Sequence, residues 1–145
     1  MKLLTIGSSK KSAEEFFSLL KNANVELLLD IRLNNNSQLL GFSKGRDLKY
    51  FCETCHNIKY EHLPKLAPTK ELIKKYRKDK DWHAYEQQFM NLLKSRPIKD
   101  IFKKACKNSK STCLLCSESK PQKCHRRLVA EYLKETIKDL EITHL

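Results

Sequence analysis

Val25-Glu26-Leu27-Leu28-Leu29-Asp30-Ile31-Arg32 is a nearly unbroken apolar run that closes on a carboxylate and a guanidinium. A strand with one wet face alternates apolar and polar residues. A run without that alternation fits a central parallel strand covered by helices on both faces. Upstream, Lys2–Gly7 reads as a first strand ending at Gly7-Ser8-Ser9, and Ser12-Ala13-Glu14-Glu15 reads as a capping box. There the Ser12 hydroxyl and the Glu15 carboxylate each meet a free backbone N–H. The helix so started carries Ala13, Phe16, Phe17 and Leu20 on one face, the i, i+3, i+4, i+7 pattern. The first 32 residues therefore form a strand–helix–strand unit.

The rest of the chain continues the alternation. Asn34–Ser37 is a turn-rich loop. A helix is expected from about Gly45 to Cys55 and a short third strand over Ile58–His62. Two prolines keep Leu63–Pro68 out of helix, because each disfavours the helical region at the residue before it. Thr69–Asn108 reads as helix broken near Lys78–Asp81 and at Pro97. Ser111–Cys116 is a fourth strand, Pro121–Thr136 a helix and Glu141–Leu145 a final short strand. The pattern predicts one α/β domain over residues 1–145, three layers deep, with a mostly parallel sheet of about five strands flanked by helices.

Composition agrees with a globular chain: 145 residues, 40% hydrophobic, 32% charged, and only 3 Gly and 4 Pro, too few for a linker-rich or disordered protein. The opening Met1–Gly7 is too short for a signal-peptide core and is followed by Lys10-Lys11. No stretch approaches the roughly 18 apolar residues of a membrane span, so a cytoplasmic location and no membrane partner are expected. In that setting the six cysteines read as thiols, metal ligands or catalysts rather than disulfides. The net charge of +12 points to a polyanionic partner, nucleic acid or a phosphorylated small molecule. It equally fits a merely lysine-rich surface, since lysine dominates and arginine is scarce. The basic residues concentrate at 65–80, seven against two acidic.

Chemistry gathers at the strand ends. In an open parallel sheet ligands bind outside the carboxyl ends of the strands. That edge carries Ser8, the Asp30–Arg32 pair, His62, and Cys116-Ser117-Glu118, and the last long helix brings Cys124-His125-Arg126 back to it. Cys116 is the best nucleophile candidate, because a helix N-terminus and nearby cations favour thiolate. The alternative is a small buried hydrophobe. Glu118 suits a general acid or base, or an anchor for a guanidinium. Asp30, Arg32 and His125 complete the catalytic set, with a purely structural ion pair as the other reading of Asp30 and Arg32. Ser8, Ser37, His62, Cys124 and Arg126 are the anion-binding set. Arg126 and Arg127 differ by about 100° around a helix, so at most one of them faces the pocket.

Other chemistries fit less well. Cys52–Cys55 and Cys113–Cys116 make two C-x2-C pairs, a zinc spacing. However, Cys113 and Cys116 point to opposite faces of a strand, and no knuckle glycine follows either pair. Cys116, Cys124 and His125 form an easier metal site, but no cofactor and no metal are expected. Nucleotide-binding glycine motifs are absent, and so is the C-x5-R loop of cysteine phosphatases, since Arg126 lies ten residues after Cys116.

These motifs resemble the DUF488 family, a domain of unknown function. The likeness rests on Thr5-Ile6-Gly7, Leu28-Leu29-Asp30-Ile31-Arg32, Gly41-Phe42-Ser43, His62-Leu63-Pro64-Lys65-Leu66, Leu114–Glu118, Cys124–Ala130 and Thr143-His144-Leu145. It implies an α/β domain and a site built on the Asp-x-Arg, Cys-x-Glu and Cys-His-Arg motifs, and it implies no reaction. The family commonly has histidine where this chain has Ser8 and proline where it has Asn36. If that histidine serves the family as a base, Ser8 removes it here, and either His125 or Glu118 stands in or the activity is altered or lost. The expectation is an uncharacterised, cysteine-dependent enzyme acting on a nucleotide or nucleic acid, or alternatively a non-catalytic basic nucleic-acid-binding module.

Overall fold

Strand Leu27–Asp30 (β2) is buried at every position, as an unalternating run requires. It lies second in a five-stranded sheet. In a computed structural model that describes residues 1–145, β1 is Lys2–Gly7, β3 Lys59–His62, β4 Ser111–Cys116 and β5 Glu141–His144. The spatial order is β3-β2-β4-β1-β5 and every pairing is parallel. The expectation of a mostly parallel sheet becomes an all-parallel one.

Strand alternation sorts the side chains into two cores. Leu3, Leu27, Leu29, Ile31 and Leu114 face helices α3 (Lys70–Asp79), α4 (Trp82–Ser95), α5 (Ile98–Ala105) and α6 (His125–Thr136). Leu4, Ile6, Leu28, Cys113 and Leu115 face α1 (Ala13–Asn22) and α2 (Gly45–Tyr50). Three layers result. No helix is long and apolar enough to cross a membrane.

Local signals place most boundaries. Ser12 accepts a hydrogen bond from the Glu15 N–H, Thr69 from Leu72 and Asp81 from Ala84, so three of the helices start at side-chain caps. The breaks expected near Lys78–Asp81 and at Pro97 separate α3, α4 and α5. Lys80 takes a left-handed conformation at the first break.

Four expectations are corrected. On α1, Phe16, Phe17 and Leu20 are buried but Ala13, at the first position of the helix, is exposed. The strand expected over Val25–Ile31 is shorter, since Val25 N–H still bonds to Leu20 at the helix exit. The helix expected over residues 45–55 winds as α only to Tyr50 and then as a π-turn over Phe51–Cys55. The wider turn rotates Cys52 into the core and Cys55 to the surface, so they share no face. Finally, α6 begins at His125, not Pro121. The segment before it wraps a buried side chain of the candidate site.

Candidate active site at the carboxyl edge of the sheet

Register brings the motifs together. Gly7 is paired with Cys116 across β1 and β4, and Asp30 with Leu115 and His62 across β2. The carboxyl ends of four strands thus meet the N-terminus of α6 along one edge.

Asp30 and Arg32 form one half of this edge. Both are buried, 0% and 3% exposed. Asp30 Oδ1 accepts from Arg32 Nε at 2.7 Å, and Oδ2 accepts from Arg32 Nη2 at 2.6 Å, the Tyr60 hydroxyl at 2.6 Å and Asn35 Nδ2 at 3.2 Å. Burial alone would raise the Asp30 carboxyl. The charge and hydrogen bonds of Arg32, with Tyr60 and Asn35, outweigh it and hold the group below its ordinary range. Arg32 also donates to the Ser43 carbonyl at 2.7 Å. With every lone pair engaged, Asp30 is a fixed carboxylate that anchors the loop after β2.

Arg126 forms the other half and is fully buried. Its Nη1 donates to Cys116 Sγ at 3.3 Å, to Cys124 Sγ at 3.6 Å and to the Glu118 carbonyl; Nη2 donates to the Ser119 carbonyl at 3.2 Å and Nε to Thr5 Oγ1 at 3.3 Å. Thr5 Oγ1 in turn meets His144 Nδ1 at 2.6 Å. Segment 117–124 therefore folds as a turn whose carbonyls point at the guanidinium, which is why the helix starts late. Arg127, one position on, points away to Glu131 and Glu86.

No carboxylate lies within ion-pair reach of Arg126. A buried guanidinium surrounded only by neutral groups is costly. The sulfurs of Cys116 and Cys124 lie within its hydrogen-bond reach, and the charges of Cys113 and Glu118 act on it from farther off. In this structure the two sulfurs stand as a disulfide pair, against the expectation that the cysteines are not so engaged, across a Cα–Cα separation of 7.8 Å. In the reduced form, thiolate beside Arg126 resolves its charge.

His125 Nε2 lies 2.9 Å from the Ile31 carbonyl, and His62 Nε2 lies 2.8 Å from the Arg32 carbonyl. Burial pushes the His125 imidazole down to about 4, against a smaller opposing pull from the Ile31 carbonyl, so the ring is neutral at pH 7.

Cys116, Cys124, His125, Glu118 and Arg32 line one pocket of about 270 Å³. Its opposite side is aromatic: Tyr76 from α3 with Trp82 and Tyr85 from α4, the latter two stacked at 5.1 Å. Arg77 and Lys123, both exposed, add cations. Of the other expected residues, Asp30, His62 and Arg126 stand behind the pocket and orient its lining. Ser8 is buried and binds the Cys116 carbonyl through its backbone N–H, 3.0 Å away. Ser37 is exposed and caps the short helical turn over Gln38–Ser43, away from the pocket. The aromatic wall was not legible as part of the site, although Trp82 and Tyr85 are spaced to share a helical face. Ser43 and Thr5 gave no signal beyond their place in the family motifs.

The family model described as Domain of unknown function DUF488 matches residues 12–133. The chain belongs to the DUF488 family. That match runs from the cap of α1 to the last turns of α6 and includes Asp30, Arg32, Cys116, Glu118 and the Cys-His-Arg start. No curated protein and no solved structure matches the chain. In this DUF488 domain the Asp-x-Arg motif is a buried anchor, and the two cysteine motifs meet around Arg126.

Proposed function

We propose that this chain is a cysteine-dependent enzyme acting on a nucleotide, free or within a nucleic-acid strand, at the carboxyl edge of the sheet. One observation carries the reading. A buried arginine with no carboxylate partner donates to both Cys116 and Cys124 in a pocket that also holds an aromatic wall and two cations. Arg126 favours the thiolate over the thiol. Burial works against the remaining core cysteines: it pushes Cys52 up to about 12 and Cys106 up to about 11, and it raises Cys113 despite the opposing charge of Arg126, while Cys55 is exposed on the opposite layer.

Aromatic faces stack bases of any sequence, and Arg77 and Lys123 suit a phosphate. The volume sits near the lower end of the roughly 300–1,000 Å³ of ligand pockets, which suits one base and its sugar. A reducing, cytoplasmic setting keeps the two thiols available.

Trp82 is the chain's single tryptophan and lines the pocket, so its fluorescence reports occupancy. A panel of nucleoside monophosphates should quench it and slow iodoacetamide labelling of Cys116 in a Cys55→Ser background. Inorganic phosphate alone should do neither. If no nucleotide alters the fluorescence, and Cys116 labels at pH 7 no faster than a free thiol, the reading is wrong.

The second reading, a non-catalytic nucleic-acid binder, draws on α3. Lys70, Lys74, Lys75, Lys78 and Lys80 are exposed there beside Arg77. Because Arg77 lines the pocket, this basic helix borders the same site, and a nucleotide embedded in a strand satisfies both observations. A binder without catalysis would hold single strands equally well after Cys116→Ser and would turn over none of them.

A further inference from the structure

We infer that Cys116, Cys124 and His125 form a three-ligand site for a thiophilic divalent cation, with zinc as the type, whose remaining coordination position opens into the aromatic pocket. The inference deepens the cysteine-dependent reading and rests on it for the two sulfurs being reduced.

The geometry has four parts. First, one ligand atom from each of the three residues lies within 4.8 Å of the others. A zinc ion sits about 2.3 Å from sulfur and about 2.0–2.1 Å from imidazole nitrogen in a tetrahedron. Opening the sulfurs and closing the ring by about an ångström reaches that arrangement.

Second, the His125 ring has a lone pair to spare for it. Nε2 faces the Ile31 carbonyl at 2.9 Å, and a carbonyl only accepts, so Nε2 carries the proton and Nδ1 keeps a free lone pair. A ligating histidine characteristically donates its other N–H to a carbonyl or carboxylate in this way. Phe89 packs edge-on against the ring, with centroids 6.0 Å apart, and limits its rotation.

Third, charge must be neutralised. Two thiolates side by side repel, and Arg126 offsets only one of them. A divalent cation between them, with Arg126 donating to both sulfurs as an outer hydrogen-bond donor, leaves a single positive charge. An anionic fourth ligand, hydroxide or a phosphate oxygen of the bound nucleotide, then restores neutrality.

Fourth, access matches that need. All three residues line the pocket together with Glu118 and Lys123, so the open position faces the space where the ligand enters. A closed structural site would have four protein ligands and no pocket. The remaining buried cysteines are divided between the two cores, Cys106 in one and Cys52 with Cys113 in the other, and join no further ligand cluster.

The test uses the full chain purified under a phosphine reductant. Elemental analysis should find about one zinc per chain. Replacing zinc by Co2+ should give the intense visible bands of a tetrahedral site and a thiolate-to-metal charge-transfer band. Cys116→Ser, Cys124→Ser and His125→Asn should each weaken Co2+ binding by more than about 100-fold, whereas Cys55→Ser should not change it. If a variant fails to fold, the wild type still decides, because Zn2+ should block alkylation of Cys116 and Cys124 and leave Cys55 reactive. Fully reduced protein that binds neither Zn2+ nor Co2+, or whose Co2+ bands survive Cys116→Ser and Cys124→Ser, overturns the inference. Quenching of Trp82 by nucleotides in chelator-treated protein separates the two proposals, since it can hold while the metal site fails.

Discussion

At the scale of single residues the site depends on charges buried with their partners. Asp30 offers its carboxylate to Arg32, Tyr60 and Asn35. Asp30→Asn leaves Arg32 buried without a counter-charge and should cost about 3–5 kcal/mol in urea denaturation. Tyr60→Phe, which removes one donor to a charged acceptor, should cost about 1.5–3 kcal/mol. The pH dependence has one sign for both titrating groups. Asp30 is held below its ordinary range, so its contribution is complete above its unfolded value near ~3.9 and is lost as pH falls through the lower folded value. His125 is pushed down to about 4, so between there and its unfolded value near ~6.5 the unfolded chain binds the extra proton. In chelator-treated, metal-free protein folding stability should therefore fall from pH 6.5 to pH 4, and His125→Gln should flatten that part of the curve. An unchanged slope in the variant would mean that the imidazole keeps an ordinary value in the fold.

At the scale of elements, the crossing of β1, β4 and the turn before α6 decides the geometry. Gly7, at the end of β1, is where the Glu118 carbonyl passes, and a Cβ there would overlap that carbonyl and press on Arg126 Nη1 at 2.9 Å. Gly7→Ala should destabilise by about 1–3 kcal/mol through overpacking. Because the displaced groups hold Arg126, it should also slow Cys116 alkylation at pH 7, a readout that simple destabilisation would not lower. The π-turn over Phe51–Cys55 shows the reverse case. One widened turn takes Cys55 out of reach of Cys52, and the C-x2-C spacing stops meaning zinc.

At the scale of the whole molecule, the net charge of +12 is unevenly spent. The exposed lysines of α3 flank the pocket, so binding of a single strand should weaken with salt, with log affinity falling linearly in log salt at about 0.7 per phosphate contacted. Filter binding across a salt series measures the slope, and Lys74→Ala with Lys75→Ala should lower it by about 1–2. Binding of a free mononucleotide should respond far less, because the exposed cations it meets in the pocket are Arg77 and Lys123, Arg32 being held by Asp30. A steep slope for the mononucleotide would mean that the lysine field, not the pocket, holds it.

The chain's own order of residues determined the layers. An unalternating strand, capping side chains and helix breaks act locally or through simple burial, so β2, the starts of α1, α3 and α4, and the ends of α3 and α4 were legible. The edge that collects Asp30, Cys116 and Cys124-His125-Arg126 followed as well, because parallel strands put their carboxyl ends together. Tertiary structure alone decided what each of these does. Asp30 and Arg32 became a closed anchor because Tyr60, thirty residues away, joins the nearby Asn35 in supplying the missing donors. Cys116 and Cys124 became a pair because the turn between them folds around a buried Arg126 instead of continuing the helix. Tyr76, Trp82 and Tyr85 became a pocket wall only once α3 and α4 packed over that edge. Local periodicity says which face of a helix is apolar, but it cannot say what that face will meet.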